Sequence, residues 1–355
     1  MLDIVVIGAG QAGLSMGYYL QQGGYDFVIL DGEKRIGDSW RNRYDSLILF
    51  TPKSYSSLPG MKLEGDENAF PTKDEIANYL EIYASHFSLP VQMETIVHKV
   101  QKIKNTFELS TDKGVFHSKH VIIASGAFQK PFIPSISKSL PQEVFQIHSS
   151  QYQSPETIPG GPILVVGGGN SGTQIATELA GSRDVTISIS QPFKSLPLKI
   201  MGKSIFHWLE KVGLLYAGTT TKRGSWFQQQ SDLIFGFEFK KLIRKGNIKI
   251  HSRAIQAQER EITFNDRSKI SVQNIIWSTG FVPDYKWIDI EGTLDEKGFP
   301  LHKRGVSPCQ GLYYIGLPWQ HQRGSALICG VGKDAEFLYW SNFPSRLSII
   351  FPFLR

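Results

Sequence analysis

The chain reads as an α/β fold made of two Rossmann-like βαβ domains. Three observations predict this. A short β-branched strand runs straight into Gly8-Ala9-Gly10-Gln11-Ala12-Gly13 and then into a helical pattern. The same grammar returns with Gly167-Gly168-Gly169-Asn170-Ser171-Gly172. Two further strand-then-glycine segments, Val121–Gly126 and Ile275–Gly280, each return the chain to a sheet beside one of those loops.

Taken in order, Ile4-Val5-Val6-Ile7 has the unbroken apolar character of a strand buried on both faces. In the loop that follows, Gly8 permits a tight turn, Gly10 lets backbone approach a pyrophosphate, and Gly13 lets helix and strand pack closely. The helix expected over 11–22 carries Leu14, Tyr18 and Tyr19 at helical spacing and stops at Gly23-Gly24. Its N-terminus, with Gln11 and Ala12, offers free N–H groups to phosphate. Phe27–Leu30 is the next strand. It ends in Asp31, placed to accept hydrogen bonds from an adenosine ribose.

The second copy starts at strand Ile163–Val166, continues through Gly167, Gly169, Asn170, Ser171 and Gly172 into a helix near 172–181, and reaches strand Val185–Ile189. Where a ribose carboxylate would stand, Ser188, Ile189, Ser190 and Gln191 follow instead. Without an acid there, a 2′-phosphate meets no repulsion. NADPH is therefore favoured, with NADH not excluded, and Lys194 is the nearest cation. Two dinucleotide loops in one chain imply a hydride carrier and an acceptor for its hydride, most simply FAD.

Pro155–Pro162 is the clearest linker. The expected division gives residues 1–154 and 281–355 to one domain and 155–280 to the other. A mainly helical insert at about 195–245, including Ile205–Leu209, would shape a substrate entrance.

Composition removes other classes. At 355 residues, 41% hydrophobic and 20% charged, the chain is an ordinary globular one of about two domains. Cys309 and Cys329 are the only cysteines and form no CxxC, so neither a disulfide framework nor a dithiol shuttle is expected. The charge of +6 comes with no run of five basic residues, so nucleic acid is not an expected partner. Nine histidines show no metal-ligand spacing. No apolar stretch reaches membrane-spanning length, and the N-terminus lacks a secretory pattern, so a cytoplasmic location is expected. The apolar Leu347–Leu354 reads as a packing tail.

Further motifs are Ile36-Gly37-Asp38-Ser39-Trp40-Arg41, Tyr44-Asp45-Ser46-Leu47, Phe50-Thr51-Pro52, Leu58-Pro59-Gly60 and Phe70-Pro71-Thr72-Lys73. His148-Ser149-Ser150-Gln151-Tyr152 and Ser278-Thr279-Gly280-Phe281-Val282-Pro283-Asp284 follow. With the glycine loops, they make the sequence resemble the two-dinucleotide-binding-domain flavoproteins. Within these it resembles the flavin-containing monooxygenase-like group, which includes small CzcO-like oxidoreductases. The resemblance implies an NAD(P)-binding domain inserted into an FAD-binding domain, with FAD at the first loop and NADPH at the second. It implies that Gly37, Trp40 and Arg41 line the flavin side, that Val97 meets the adenine with its backbone, and that Gly324-Ser325-Ala326-Leu327 closes over the ring. Gly126, Thr279 and Gly280 fall beside the nucleotides; Arg41, Thr51, Asn170 and Gln320, with Trp40, are flavin-proximal candidates.

The expected reaction is oxygenation of a small molecule by molecular oxygen through a C4a-peroxyflavin. The alternative is a reductase passing electrons to a quinone, a disulfide or oxygen. Gln142 and Val144 stand where the monooxygenase fingerprint has Phe and Gly. His148 is accordingly expected to support a linker rather than chemistry. Aromatics in the insert are compatible with a homodimer.

Overall fold

The computed structural model describes residues 1–230 and 233–344. The expected packing tail at 347–354 lies outside them.

The first sheet has a parallel half in which Leu2–Ile7 lies between Phe27–Leu30 and Gly114–Ile123. Val91–Gln92 and Leu312–Tyr314 extend this half on either side. Val5 stands opposite both Val28 and Val121, and Val121 opposite Leu312. Ile4, Val5 and Val6 are wholly buried, as a strand covered on both faces requires. The long strand Gly114–Ile123 leaves this parallel half at its N-terminal end. There it pairs antiparallel with Thr106–Thr111, which pairs with Val97–Ile103. The chain's last third supplies Ile288–Asp289 and Leu312–Tyr314 to the same sheet. Helix Ile328–Asn342 then packs on Gln11–Gln22, with Tyr339 stacked on Tyr19 at 5.7 Å.

The second sheet is wholly parallel, in the order Ile248–His251, Val185–Ser188, Ile163–Val166, Asn274–Trp277, Phe145–His148. Its edge strand Phe145–His148 lies ahead of the expected division at 155, yet pairs in register with Asn274–Trp277. Only Ile147 in that segment is β-branched, so no pattern announces it. A meander of Ala254–Gln258, Glu261–Phe264 and Lys269–Ser271 completes this half.

The insert is mixed rather than mainly helical. It holds helices Ile205–Lys211, Lys222–Gln228 and Glu238–Arg244. It also holds a parallel pair, Lys194–Leu196 with Leu233–Phe235, and a small hairpin of Lys199–Ile200 with Lys203–Ser204. Strands of two or three residues are too short to leave a period in sequence. Where the chain crosses between the two halves, Lys130–Pro131 pairs antiparallel with Phe281–Val282, making a ribbon of the two crossings.

Candidate functional site

The two glycine loops are near copies in space. Gly8 has φ +110°, and a Cβ there would lie 2.5 Å from the Ala124 carbonyl oxygen. Its counterpart Gly167 has φ +121°, with Ser278 O at 2.1 Å. A Cβ on Gly13 would lie 1.8 Å from Gly8 O, and one on Gly172 2.0 Å from Gly167 O. The outer glycines are therefore demanded by the fold itself. The middle ones are not: a Cβ at Gly10 or Gly169 would meet no protein atom within 4 Å. Each caps the N-terminus of a helix, starting at Gln11 and Asn170, with no acidic residue in the first turn. Open space against bare backbone and unpaired N–H groups is what a pyrophosphate needs, so these residues fit a dinucleotide at each loop.

Around the first loop, the expected residues converge. Asp31 accepts hydrogen bonds from Ala9 N at 2.6 Å and Glu33 N at 2.8 Å, one on each carboxylate oxygen. Further lone pairs remain for ribose hydroxyls. The Glu33 carboxyl is pushed upward by burial and by the neighbouring Asp31 and Asp38 charges. Thr95 N donates to the Asp31 main-chain O at 2.8 Å, two residues before strand Val97–Ile103 begins. Gly126 lies two residues past Ala124, and a Cβ there would meet no protein atom within 4 Å. Trp40 Nε1 donates to Gln11 Oε1 at 3.3 Å, and Gln11 Nε2 donates to Ala326 O at 3.3 Å. Ser325 is fully buried and accepts from the N–H groups of His321 and Gln322 at 3.1 Å. The turn Arg323–Ala326 presses on the C-terminal helix where Gly324 meets Gly330.

Other candidates belong to the scaffold. Arg41 does not present its guanidinium to the loop. It donates to Ile36 O at 2.6 Å and to Asn78 Oδ1 at 3.1 Å, with Asp38 at 3.3 Å and Glu81 at 3.0 Å. These partners tie it to helix Lys73–His86. Gly37 has φ +90° and packs on that helix, where a Cβ would lie 2.6 Å from Ala77 O. The helix begins with a capping box between Thr72 and Glu75, and Lys73 donates to Arg41 O at 2.8 Å. Its tyrosines hold the Leu58-Pro59-Gly60 segment: Leu58 N donates to Tyr79 Oη at 2.7 Å, and Tyr83 Oη donates to Pro59 O at 2.6 Å. Thr51 is buried, its hydroxyl oxygen accepting from Ser56 Oγ at 3.0 Å. Gln320 is buried too. Its Oε1 accepts from Leu317 N at 3.3 Å, while its Nε2 has no partner among the described residues.

At the second loop, Asn170 Nδ2 donates to Leu233 O at 3.2 Å, so the insert reaches the helix N-terminus. Ser171 and Ser190 are exposed. The Thr279 hydroxyl is committed to Phe132 O and Gly280 O to His148 Nε2, so both serve the crossing ribbon. His148 Nδ1 accepts from Ser150 N at 3.1 Å, which puts the ring proton on Nε2, donating to Gly280 O at 2.9 Å. Burial lowers the imidazole's pKa, and the Arg43 charge acts the same way against the opposing Gly280 hydrogen bond.

Two further features come from tertiary packing. The Tyr44 hydroxyl donates to Gln174 Oε1, and Tyr152 donates to Glu178 at 2.9 Å, so helix Asn170–Leu179 is held by tyrosines from outside its own βαβ unit. Asp334 is wholly buried on the C-terminal helix and takes part in no ion pair within 4.0 Å among the described residues. Burial raises its pKa against the pull of Ser325 and Arg304. An aspartate in an apolar helix reads in sequence as a solvated face.

Two βαβ units, each with a glycine loop that caps a helix, define a protein built on two dinucleotide-binding folds. The chain belongs to the pyridine nucleotide-disulphide oxidoreductase family, whose profile matches residues 5–197, and it is an oxidoreductase. It is 53% identical over 338 residues, 95% of this chain and 97% of the other, to an oxidoreductase named CzcO-like from Geobacillus kaustophilus. Among solved structures it is similar to a flavin-containing monooxygenase from Stenotrophomonas maltophilia, with TM-score 0.79, 25% identity and coverage of 96% and 97%. The bacillithiol disulfide reductase Bdr (YpdA) from Bacillus cereus shares the fold, with TM-score 0.71, 19% identity and coverage of 96% and 98%. The kinship expected from the motifs is therefore present. Among the described residues, no helix is long and apolar enough to cross a membrane.

Proposed function

We propose that the chain is an FAD-dependent oxidoreductase that takes hydride from NADPH and uses molecular oxygen to oxygenate a small molecule. The observation that carries this reading is the duplicated glycine cradle, with Gly10 and Gly169 each facing open space at a helix N-terminus. The first cradle, with Asp31, Gln11, Trp40 and Ala326 around it, would hold FAD; the second would hold the nicotinamide cofactor. Bound FAD supplies the electron chemistry and the reaction with oxygen.

The chain's own residues bind, orient and enclose. Asp31 fixes a ribose, Gln11 ties the Arg323–Ala326 turn against the first loop, and the insert covers the second helix N-terminus through Leu233. Strand Val185–Ser188 runs beside Ile248–His251, and Ile189, Ser190 and Gln191 follow it with no acid. That edge supports NADPH over NADH. The monooxygenase kin at 25% identity support oxygen insertion.

The test is anaerobic reduction of the yellow holoprotein with NADPH or NADH, followed by mixing with labelled oxygen and a panel of thioethers, amines and ketones. Label in an organic product, one per NADPH oxidised, is the expected result. Stoichiometric hydrogen peroxide with every compound, or electron delivery to a quinone or disulfide without label, overturns oxygenation in favour of a reductase. Faster reduction by NADH overturns the cofactor preference.

A further inference from the structure

A cavity of about 380 Å³ opens on the seam between the first half and the insert. Tyr55 and Glu67 line one wall; Lys203, His207, Glu210 and Tyr216 line the other. The Tyr55 hydroxyl donates to the Glu210 carboxylate and so ties the walls together. Behind them Phe50, Phe206 and Phe235 stack into one aromatic block, the closest pair 4.5 Å apart, so the seam is packed.

The cavity also adjoins the first dinucleotide loop by a short chain of contacts. Tyr216 shares an apolar cluster with Cys329, at the start of the C-terminal helix, and Lys333 Nζ lies 4.1 Å over the Tyr216 ring. That helix start packs on the turn whose Ala326 O accepts from Gln11.

Its charges do not cancel each other. Glu67 has Lys62 at 3.6 Å, but among the described residues neither Glu210 nor Lys203 takes part in an ion pair. An anion and a cation without ionic partners thus share one small cavity. A lone amine placed there would meet Lys203, and a lone carboxylate would meet Glu210 and Glu67. A molecule bearing both charges answers both signs in the lining, since like charges brought together cost binding energy and opposite ones return it.

We propose that this cavity binds a small zwitterion of the α-amino acid class, its ammonium on Glu210 and its carboxylate on Lys203 and His207. Tyr55 and Tyr216 then flank the side chain. As a binding site this stands apart from the reaction; as the substrate site it rests on the oxygenase reading.

Calorimetric titration of the holoprotein with the proteinogenic amino acids, methionine foremost for its oxidisable thioether, tests it. The best binder is then compared with its decarboxylated amine and its deaminated acid. Saturable binding, with each single-charge analogue weaker by about tenfold or more, is expected. Glu210→Gln should weaken the amino acid and the amine but spare the acid, and Lys203→Gln should do the reverse. Tyr55→Phe keeps both charges and should retain the preference for the zwitterion. No saturable binding by any amino acid, equal binding of all three forms, or unchanged affinity in both charge variants overturns the proposal. Binding without label from oxygen in the bound amino acid leaves the site standing and removes its role as the substrate site.

Discussion

Gln11 and Ala326 stand 315 residues apart and are joined by one hydrogen bond of 3.3 Å, from the Gln11 amide nitrogen to the Ala326 carbonyl. The other end of the same side chain accepts from Trp40 at 3.3 Å. One carboxamide thus clamps the first glycine loop, the Ile36–Arg41 motif and the C-terminal turn. Each bond contributes about 1 kcal/mol. Gln11→Ala should therefore weaken FAD binding about tenfold while leaving the far-ultraviolet dichroism of the apoprotein unchanged. Equilibrium dialysis against FAD measures it, and undiminished affinity would show that the clamp has no bearing on the cofactor.

The glycines divide into those the fold needs and those a ligand needs. Gly10→Ala adds a methyl where no protein atom lies within 4 Å. Its melting temperature as apoprotein should match the parent, yet it should purify colourless. Gly13→Ala puts a methyl 1.8 Å from a carbonyl oxygen and should cost about 3 kcal/mol or more in urea unfolding, with or without FAD. Gly169→Ala should stay yellow and lose rapid reduction by NADPH. Reversal of the order between Gly10→Ala and Gly13→Ala would contradict the assignment.

Asp334 is a buried acid whose pKa is raised by desolvation. The native state therefore holds its proton more tightly than the unfolded chain. That contribution is present below the ordinary carboxyl range and is lost as pH rises through it toward the folded value. Asp334→Asn removes the titration, so it should raise the melting temperature near neutral pH and flatten its decline from acid. Arg304, at electrostatic range, is the opposing charge. A neutral-pH melting temperature several degrees below the parent would show that the carboxylate is ionised and paired.

His148 titrates with the opposite sign. Its pKa is lowered, so its contribution is full above the ordinary imidazole value of about 6.5 and is lost as pH falls through that value toward the folded one. Arg43, seated against Phe128 and Phe281, is the positive charge nearby. Urea midpoints should fall with acid in the parent and vary less in His148→Gln. Equal slopes would place the acid sensitivity elsewhere.

Sequence alone exposed what depends on local stereochemistry. The strand, glycine loop and helix at 2–22 and at 163–179 follow from β-branched runs and from outer glycines that the fold demands, and Gln11–Gln22 begins and ends where the pattern says. The position of Asp31 was legible for the same reason: a strand end is a fixed place. The partners of Arg41 were not, because Asn78 and Glu81 sit on a helix that starts thirty-two residues later. Strand Phe145–His148 and the short strands of the insert were hidden because long-range partners, not periodicity, make them strands. Tyr44 and Asp334 owe their surroundings wholly to tertiary packing.

The two crossings between the halves do not run independently. Lys130–Pro131 pairs with Phe281–Val282, Lys130 with Asp284, and Gln129 accepts from Asp284 N. A swing of one half against the other has to carry both strands of this ribbon together. The ribbon is thereby a double tether, in which neither link can be lengthened or turned without its neighbour.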